Sequence, residues 1–315
     1  MNRFRILQVV LLLTFAGCSP SSEANVTNQD EVESPVLPSP APLETQSATS
    51  TSTPDLPVQT STPTISPPDP TATATATELP ATPPGPFSIE LIAPGQEKAF
   101  SFQSSSGEEI QYWFYLPENY AGNQEWPLLI SLHGFLGFDS SLEKVRGQYP
   151  PAWVSPDTEF PFIVIAPQAP SGSWAKYHQP MEELIQTLSE YISIDPDAHF
   201  LTGLSAGTIG VWQWALAYPD RFKGIAPIAG GLSMNPGDPV LDTICELEDL
   251  PVWVAHSEGD QHVPIGVSRE VVAALEACGN SLVRFTIYPD LNHMDSISRA
   301  YAGPELYDWM LELIR

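Results

Sequence analysis

Gly203-Leu204-Ser205-Ala206-Gly207 carries the most specific chemistry in the chain. It follows an apolar run at 199–202 and precedes a helix-forming run at 208–218. A G-x-S-x-G between a strand and a helix spells a nucleophile elbow: the serine occupies a strained turn that pushes its oxygen out of the backbone. Glycines two residues to either side let strand and helix approach without Cβ clashes.

Serine is a weak nucleophile until a histidine takes its proton and a carboxylate fixes that histidine's tautomer. With an elbow of this kind the partners follow in the order acid, then histidine. Downstream, the apolar run 252–255 leads into His256-Ser257-Glu258-Gly259-Asp260-Gln261-His262-Val263-Pro264, and a second run, 282–288, leads into Pro289-Asp290-Leu291-Asn292-His293-Met294-Asp295. The simplest set is Ser205, Asp260 and His293, with both partners on loops after strands, where function gathers in open α/β sheets. Glu258, Asp290 and Asp295 compete as the acid, and His256 and His262 as the base. Asp260 is preferred for its His-x-x-x-Asp-x-x-Val-Pro setting. His256, at a strand end, reads as a local bond that orders the acid loop. His133 lies upstream of the serine, against the chain order, and fits the oxyanion strand better. No histidine pair has metal-ligand spacing and no cysteine cluster exists, so neither a metal nor a cofactor is expected.

From about residue 112 onward the chain resembles the α/β-hydrolase superfamily, in particular its secreted esterases and predicted peptidases of the polyhydroxybutyrate-depolymerase-like and feruloyl-esterase-like kind. The resemblance rests on Tyr115-Leu116-Pro117-Glu118-Asn119-Tyr120, Leu132-His133-Gly134, Val164-Ile165-Ala166-Pro167-Gln168, the Ser205 motif, the His256 to Pro264 stretch and Asn292-His293. It implies a triad at Ser205, Asp260 and His293. It also implies an oxyanion hole built from the N–H of Ala206 and the backbone near Phe135. Three departures stand beside it: Ser257 where the family has glycine, Ala206-Gly207-Thr208 after the nucleophile, and Asn292 before the histidine. None removes a reacting group. The reaction implied is acyl transfer to Ser205 and hydrolysis of the acyl-enzyme, with a small or polymer-borne ester as substrate. A peptidase of the same fold and a non-catalytic envelope-bound binding module are the alternatives.

The elements that must position these residues alternate. Runs at 110–116, 127–132, 160–166, 199–202, 224–229, 252–255 and 282–288 read as strands, several apolar throughout, as buried parallel strands are. Stretches at 181–193, 208–218, 264–278 and 304–314 read as helices. Alternation argues a mainly parallel sheet flanked by helices, with antiparallel strands at 88–91 and 98–102. Phe135, Trp174, Trp212 and Met234 are candidates to line an acyl pocket. Trp174, after a strand at the active face, is the preferred one, His133 is a further candidate, and Trp212 is equally a core residue.

The chain divides into 1–18, 19–86 and 87–315. The first segment has Arg3 and Arg5 before an apolar run and Ala16-Gly17 before Cys18, the anatomy of a lipoprotein-type signal with Cys18 as the lipidated residue. The second is rich in Pro, Thr, Ser and Ala and lacks Phe, Tyr, Trp, Lys and Arg. It cannot bury enough apolar surface to order itself and reads as a disordered stalk. The catalytic segment holds 30 acids and 10 bases of the chain's net −26, which disfavours nucleic acid and anionic surfaces as partners. The expected molecule is a monomer at a bacterial cell envelope, touching the membrane through its N-terminal lipid alone. Cys245 precedes the strand before Asp260 and Cys278 ends the following helix. Both fall on one side of the sheet, either bridged in an oxidising compartment or as two buried thiols.

Overall fold

The computed structural model describes residues 92–315 apart from 139–140, 149, 151, 153, 155–158 and 170–171. The signal segment with Cys18, the stalk and the strand expected at 88–91 lie outside the described residues. Eight strands form one sheet: β1 (Glu97–Gln103), β2 (Glu109–Tyr115), β3 (Trp126–Leu132), β4 (Ile163–Pro167), β5 (Ile194–Leu204), β6 (Gly224–Ile228), β7 (Val252–Ser257) and β8 (Val283–Tyr288). Their order is β1-β2-β4-β3-β5-β6-β7-β8. β1 and β2 run antiparallel to their neighbours, and all pairings from β4 to β8 are parallel.

Helices cover both faces, as a parallel sheet requires. They are α1 (Leu142–Arg146), α2 (His178–Ser189), α3 (Gly207–Ala217), α4 (Gly266–Ala277), α5 (His293–Ala302) and α6 (Glu305–Glu312). On α2 the buried residues Met181, Leu184, Ile185 and Leu188 recur at helical spacing and make one apolar stripe. α3 is different: Val211, Trp212, Trp214 and Ala215 are all buried, so it sits inside the molecule with little polar face. These helices and α4 pack on one sheet face. Tyr301, Leu306, Tyr307 and Met310 of α5 and α6 fill the other.

Two differences from the expected elements bear on the site. β5 is longer than 199–202. Its first residue, the buried Ile194, pairs with Trp126, and the register then shifts so that Leu128 faces His199. A helix, α5, also begins at His293, where the sequence reading has a loop. Asn292 caps it, its Oδ1 accepting the Asp295 N–H at 2.9 Å. That Asn-x-x-Asp spacing ahead of Ile297, Ala300 and Tyr301 is a legible helix start.

Candidate active site

The turn after β5 is strained at the serine of the Gly203–Gly207 motif. Ser205 has φ +51°, in the left-handed region that non-glycine residues avoid. Its N–H donates to Ile228 O at 2.9 Å, and its carbonyl accepts from Thr208 N at 2.9 Å and Thr208 Oγ1 at 2.7 Å. Gly207 makes room for the turn, because a Cβ there would stand 2.4 Å from Leu132 O and 2.7 Å from His133 O. Those are backbone atoms of the neighbouring strand end and have little freedom to yield. Ala229, at the end of β6 beside the turn, is also left-handed, with φ +57°.

Asp260 lies on the loop after β7 with its side chain fully buried. Oδ2 is 2.6 Å from His293 Nδ1 and 3.2 Å from His256 Nε2, and Oδ1 accepts the N–H groups of His262 and Val263, both at 2.9 Å. Burial alone works to raise the carboxyl pKa. The hydrogen bonds from His256, His293, Val263 and His262 outweigh it and hold the group well below the usual carboxylate range. The acid is therefore ionised, and the proton between it and His293 belongs to Nδ1. His293 presents its other face to a cleft of about 550 Å³ that it shares with Ser205, Phe135, Leu136, His262 and Met294. Phe135, Leu136 and Met294 are exposed apolar side chains, so the mouth of the cleft is open and greasy.

Across the cleft, β3 ends in Leu132-His133-Gly134 and runs into a 3-10 turn, Phe135–Gly137. Among the described residues, the N–H groups of Phe135 and Ala206 have no acceptor. The Gly134 N–H by contrast is taken by Gln148 Oε1 at 3.3 Å, which ties this loop to α1 and leaves Phe135 N as the available donor.

Two pocket candidates fall elsewhere. Trp174 is 3% exposed and His133 1%, and neither lines the cleft. His133 is a strut under the loop, its Nδ1 2.8 Å from Gly134 O and its Nε2 accepting from Ala169 N at 3.0 Å. One ring nitrogen thus donates and the other accepts, and burial lowers its pKa to about 4, so the ring is neutral. Trp174 packs on that ring at 4.7 Å between centroids and sends its Nε1–H to His133 O at 3.3 Å. The indole lies against Gly210 of α3 and is buried there, whereas the sequence reading expects it to face substrate. Trp212 is core at 1% exposure, and Met234 packs over Gly230. Cys245 and Cys278 are joined as a disulfide that ties the turn before β7 to the end of α4. No group of His, Cys, Asp and Glu among the described residues could hold a metal ion.

A sheet in this strand order, with Ser205 on the turn after β5, Asp260 after β7 and His293 after β8, defines an α/β-hydrolase. The fold is that of the α/β-hydrolases, and the chain is similar to carboxylesterase-like members of that superfamily. The family model for phospholipases and carboxylesterases matches residues 146–299. A poly(3-hydroxyalkanoate) depolymerase C of Paucimonas lemoignei is 28% identical over 138 residues, 39% of this chain and 31% of that protein. A probable feruloyl esterase C of Aspergillus terreus is 26% identical over 136 residues, covering 41% and 49%. The chain thus spans a third to a half of the length of these curated relatives. Among solved structures, a thermostable esterase superposes with TM-score 0.61 at 27% identity, over 69% of this chain and 62% of that one. An S-formylglutathione hydrolase from Agrobacterium tumefaciens has TM-score 0.56 at 17% identity, a likeness of fold, over 70% and 95%.

Proposed function

We propose that this protein is a serine hydrolase of carboxylic esters, with Ser205 as nucleophile, His293 as general base and Asp260 as the acid that orients it. The observation that carries the reading is His293 itself. Its Nδ1 is fixed 2.6 Å from a buried carboxylate, while its ring opens onto the cleft where the strained Ser205 stands. With the hydrogen on Nδ1, Nε2 holds the lone pair that a base needs.

In this mechanism Ser205 Oγ attacks the ester carbonyl as His293 Nε2 takes its proton. Asp260 stabilises the imidazolium without itself taking the proton. The negative charge gathering on the carbonyl oxygen is met by the N–H groups of Ala206 and Phe135. A single donor of that kind is worth about 3 kcal/mol of barrier. His293 then returns the proton to the leaving alcohol. Water, deprotonated by the same nitrogen, attacks the acyl-enzyme and releases the acid.

The apolar mouth of the cleft favours an acyl or aromatic ester over a polyanion, and two relatives are named for ester cleavage, a polyester depolymerase and a feruloyl esterase. The site of action proposed is outside the cytoplasm, held at a bacterial envelope by a lipid on Cys18. Its support is the leader-like sequence at 1–18 and a disulfide, which persists where the compartment is oxidising.

The test is hydrolysis of p-nitrophenyl acetate and butyrate by the wild-type protein beside Ser205→Ala. Turnover abolished in the variant is expected. Equal rates from the two proteins would refute the assignment.

A further inference from the structure

Asp260 has one more side-chain donor than an acid orienting a single histidine needs, and that donor is a second buried imidazole. His256, with no exposed surface near the end of β7, places Nε2 3.2 Å from Asp260 Oδ2 and 3.0 Å from Val263 O. A carboxylate and a carbonyl only accept, so Nε2 carries a hydrogen. Behind the ring, Nδ1 is 2.7 Å from Ser268 Oγ on α4, and Ser268 Oγ is 2.8 Å from Gly230 O. Gly230 in turn is pressed against the serine turn. A Cβ there would stand 2.8 Å from Ser205 O and 2.3 Å from Thr208 Oγ1. Thr208 Oγ1 itself contacts Ser205 O and, at 3.0 Å, Gly231 O. A continuous buried run of contacts therefore links Asp260, His256, Ser268, Gly230, Thr208 and Ser205.

We propose that His256 is a positioning residue for the hydrolysis. Its Nε2–H fixes the rotamer of Asp260 with Oδ2 toward His293 Nδ1, and its ring registers the acid loop against the serine turn through Ser268 and Gly230. This rests on the roles given above to Ser205, Asp260 and His293.

The arrangement has a chemical consequence beyond rigidity. Oδ2 divides its lone pairs between two N–H donors. Removing the His256 donor leaves more negative charge facing His293 and favours its imidazolium, the form that cannot act as base. The acid limb of kcat/KM then moves to higher pH. The charged or titratable groups that bear on His256 are Asp260 directly and, through Asp260, His293 from α5, with the His262 ring against His293 at 5.6 Å between centroids. From α4 the facing group is the Ser268 hydroxyl, and from the turn after β6 the Gly230 carbonyl.

Two amide variants separate donation from bulk. In His256→Gln the side-chain nitrogen lies as many bonds from Cβ as Nε2 does and still reaches Asp260. In His256→Asn it reaches only as far as Nδ1 and keeps a partner for Ser268 alone. Both are compared with wild type over the acid limb on p-nitrophenyl acetate, after circular dichroism and a thermal melt have established that they fold. His256→Asn is expected to lose about a hundredfold in kcat, the cost of a misplacement near 1 Å, with KM little changed and the acid limb about one pH unit higher. His256→Gln recovers most of both. Wild-type behaviour in His256→Asn, or a loss in His256→Gln as large as in His256→Asn, overturns the proposal.

A readout independent of turnover is the Nδ1–H proton resonance of His293 in protein labelled with nitrogen-15 histidine. It is expected to shift in His256→Asn and not in His256→Gln, and an unmoved resonance in both also overturns the role. Absence of Ser205-dependent hydrolysis in the wild type would instead refute the underlying catalytic reading, so the two failures are distinct.

Discussion

His199 makes the acid tolerance of this fold measurable. It is 4% exposed on β5, beside the Arg221 guanidinium that contacts its Nδ1. Arg221 is already paired with Glu182 at 2.7 Å, and Glu182 also accepts the Trp214 Nε1–H at 2.8 Å. Among the described residues no carboxylate makes a hydrogen bond or ion pair with His199. Burial first and the neighbouring cation second push its pKa down to about 3. The folded-state value lies below the unfolded value of about 6.5. The resulting stabilisation is therefore complete above pH 6.5 and is lost as the pH falls toward about 3. From pH ~7.5 to ~5.5 that one ring removes about 1.3 kcal/mol, and by pH ~4.5 about 2.7 kcal/mol. In a domain of this size the first figure lowers Tm by about 3–5 °C. His199→Asn keeps an acceptor for Arg221 but cannot titrate. Urea unfolding of wild type and variant at the two higher pH values should show a free-energy loss smaller in the variant by about 1.3 kcal/mol. A difference under about 0.5 kcal/mol, the size of an ordinary surface effect, would refute the claim that His199 is held neutral.

Further outcomes follow from the elbow and the disulfide. Gly207→Ala sets a Cβ against two fixed carbonyl oxygens at 2.4 and 2.7 Å. It should cost about 1–3 kcal/mol of stability and about a hundredfold in kcat/KM as the serine is displaced; a variant with wild-type kinetics and melting would remove the steric argument. Cys245 and Cys278 are separated by 33 residues in sequence. Reducing their bond should lower the unfolding free energy by about 3.7 kcal/mol on the chain-entropy account, read as a fall in the urea midpoint with the specific activity of the folded enzyme retained.

Much of the fold was legible because apolar periodicity is a local property. Runs such as 127–132, apolar but for Ser131, and 252–255 are mostly apolar because both faces of a central parallel strand are buried, and the structure places β3 and β7 there. Boundaries that depend on pairing were less legible. The start of β5 extends to Ile194 because Trp126 is there to pair with it, and neither residue announces the other. The helix at His293 went unread although its cap is local. A loop is the expected continuation of the strand that ends before Pro289, whereas the Asn292–Asp295 pair starts a helix.

The glycine spacing around Ser205 determined by itself that a strained turn stands between a strand and a helix, because that demand is met within five consecutive residues. Chain order and the His256-to-Pro264 pattern narrowed the acid and the base to a few candidates. Only the tertiary structure showed which of these residues lie together and where the rest fall. It brought Asp260 and His293, 33 residues apart in sequence, to 2.6 Å. It buried Trp174 and His133 as struts where the sequence offered them as pocket lining. It also revealed Ser268 and Gly230, ordinary residues in sequence, as the supports behind His256. The physical reason is range. A backbone turn is specified by neighbours along the chain, whereas a hydrogen bond between loops depends on how the sheet places strands whose sequences carry no record of one another.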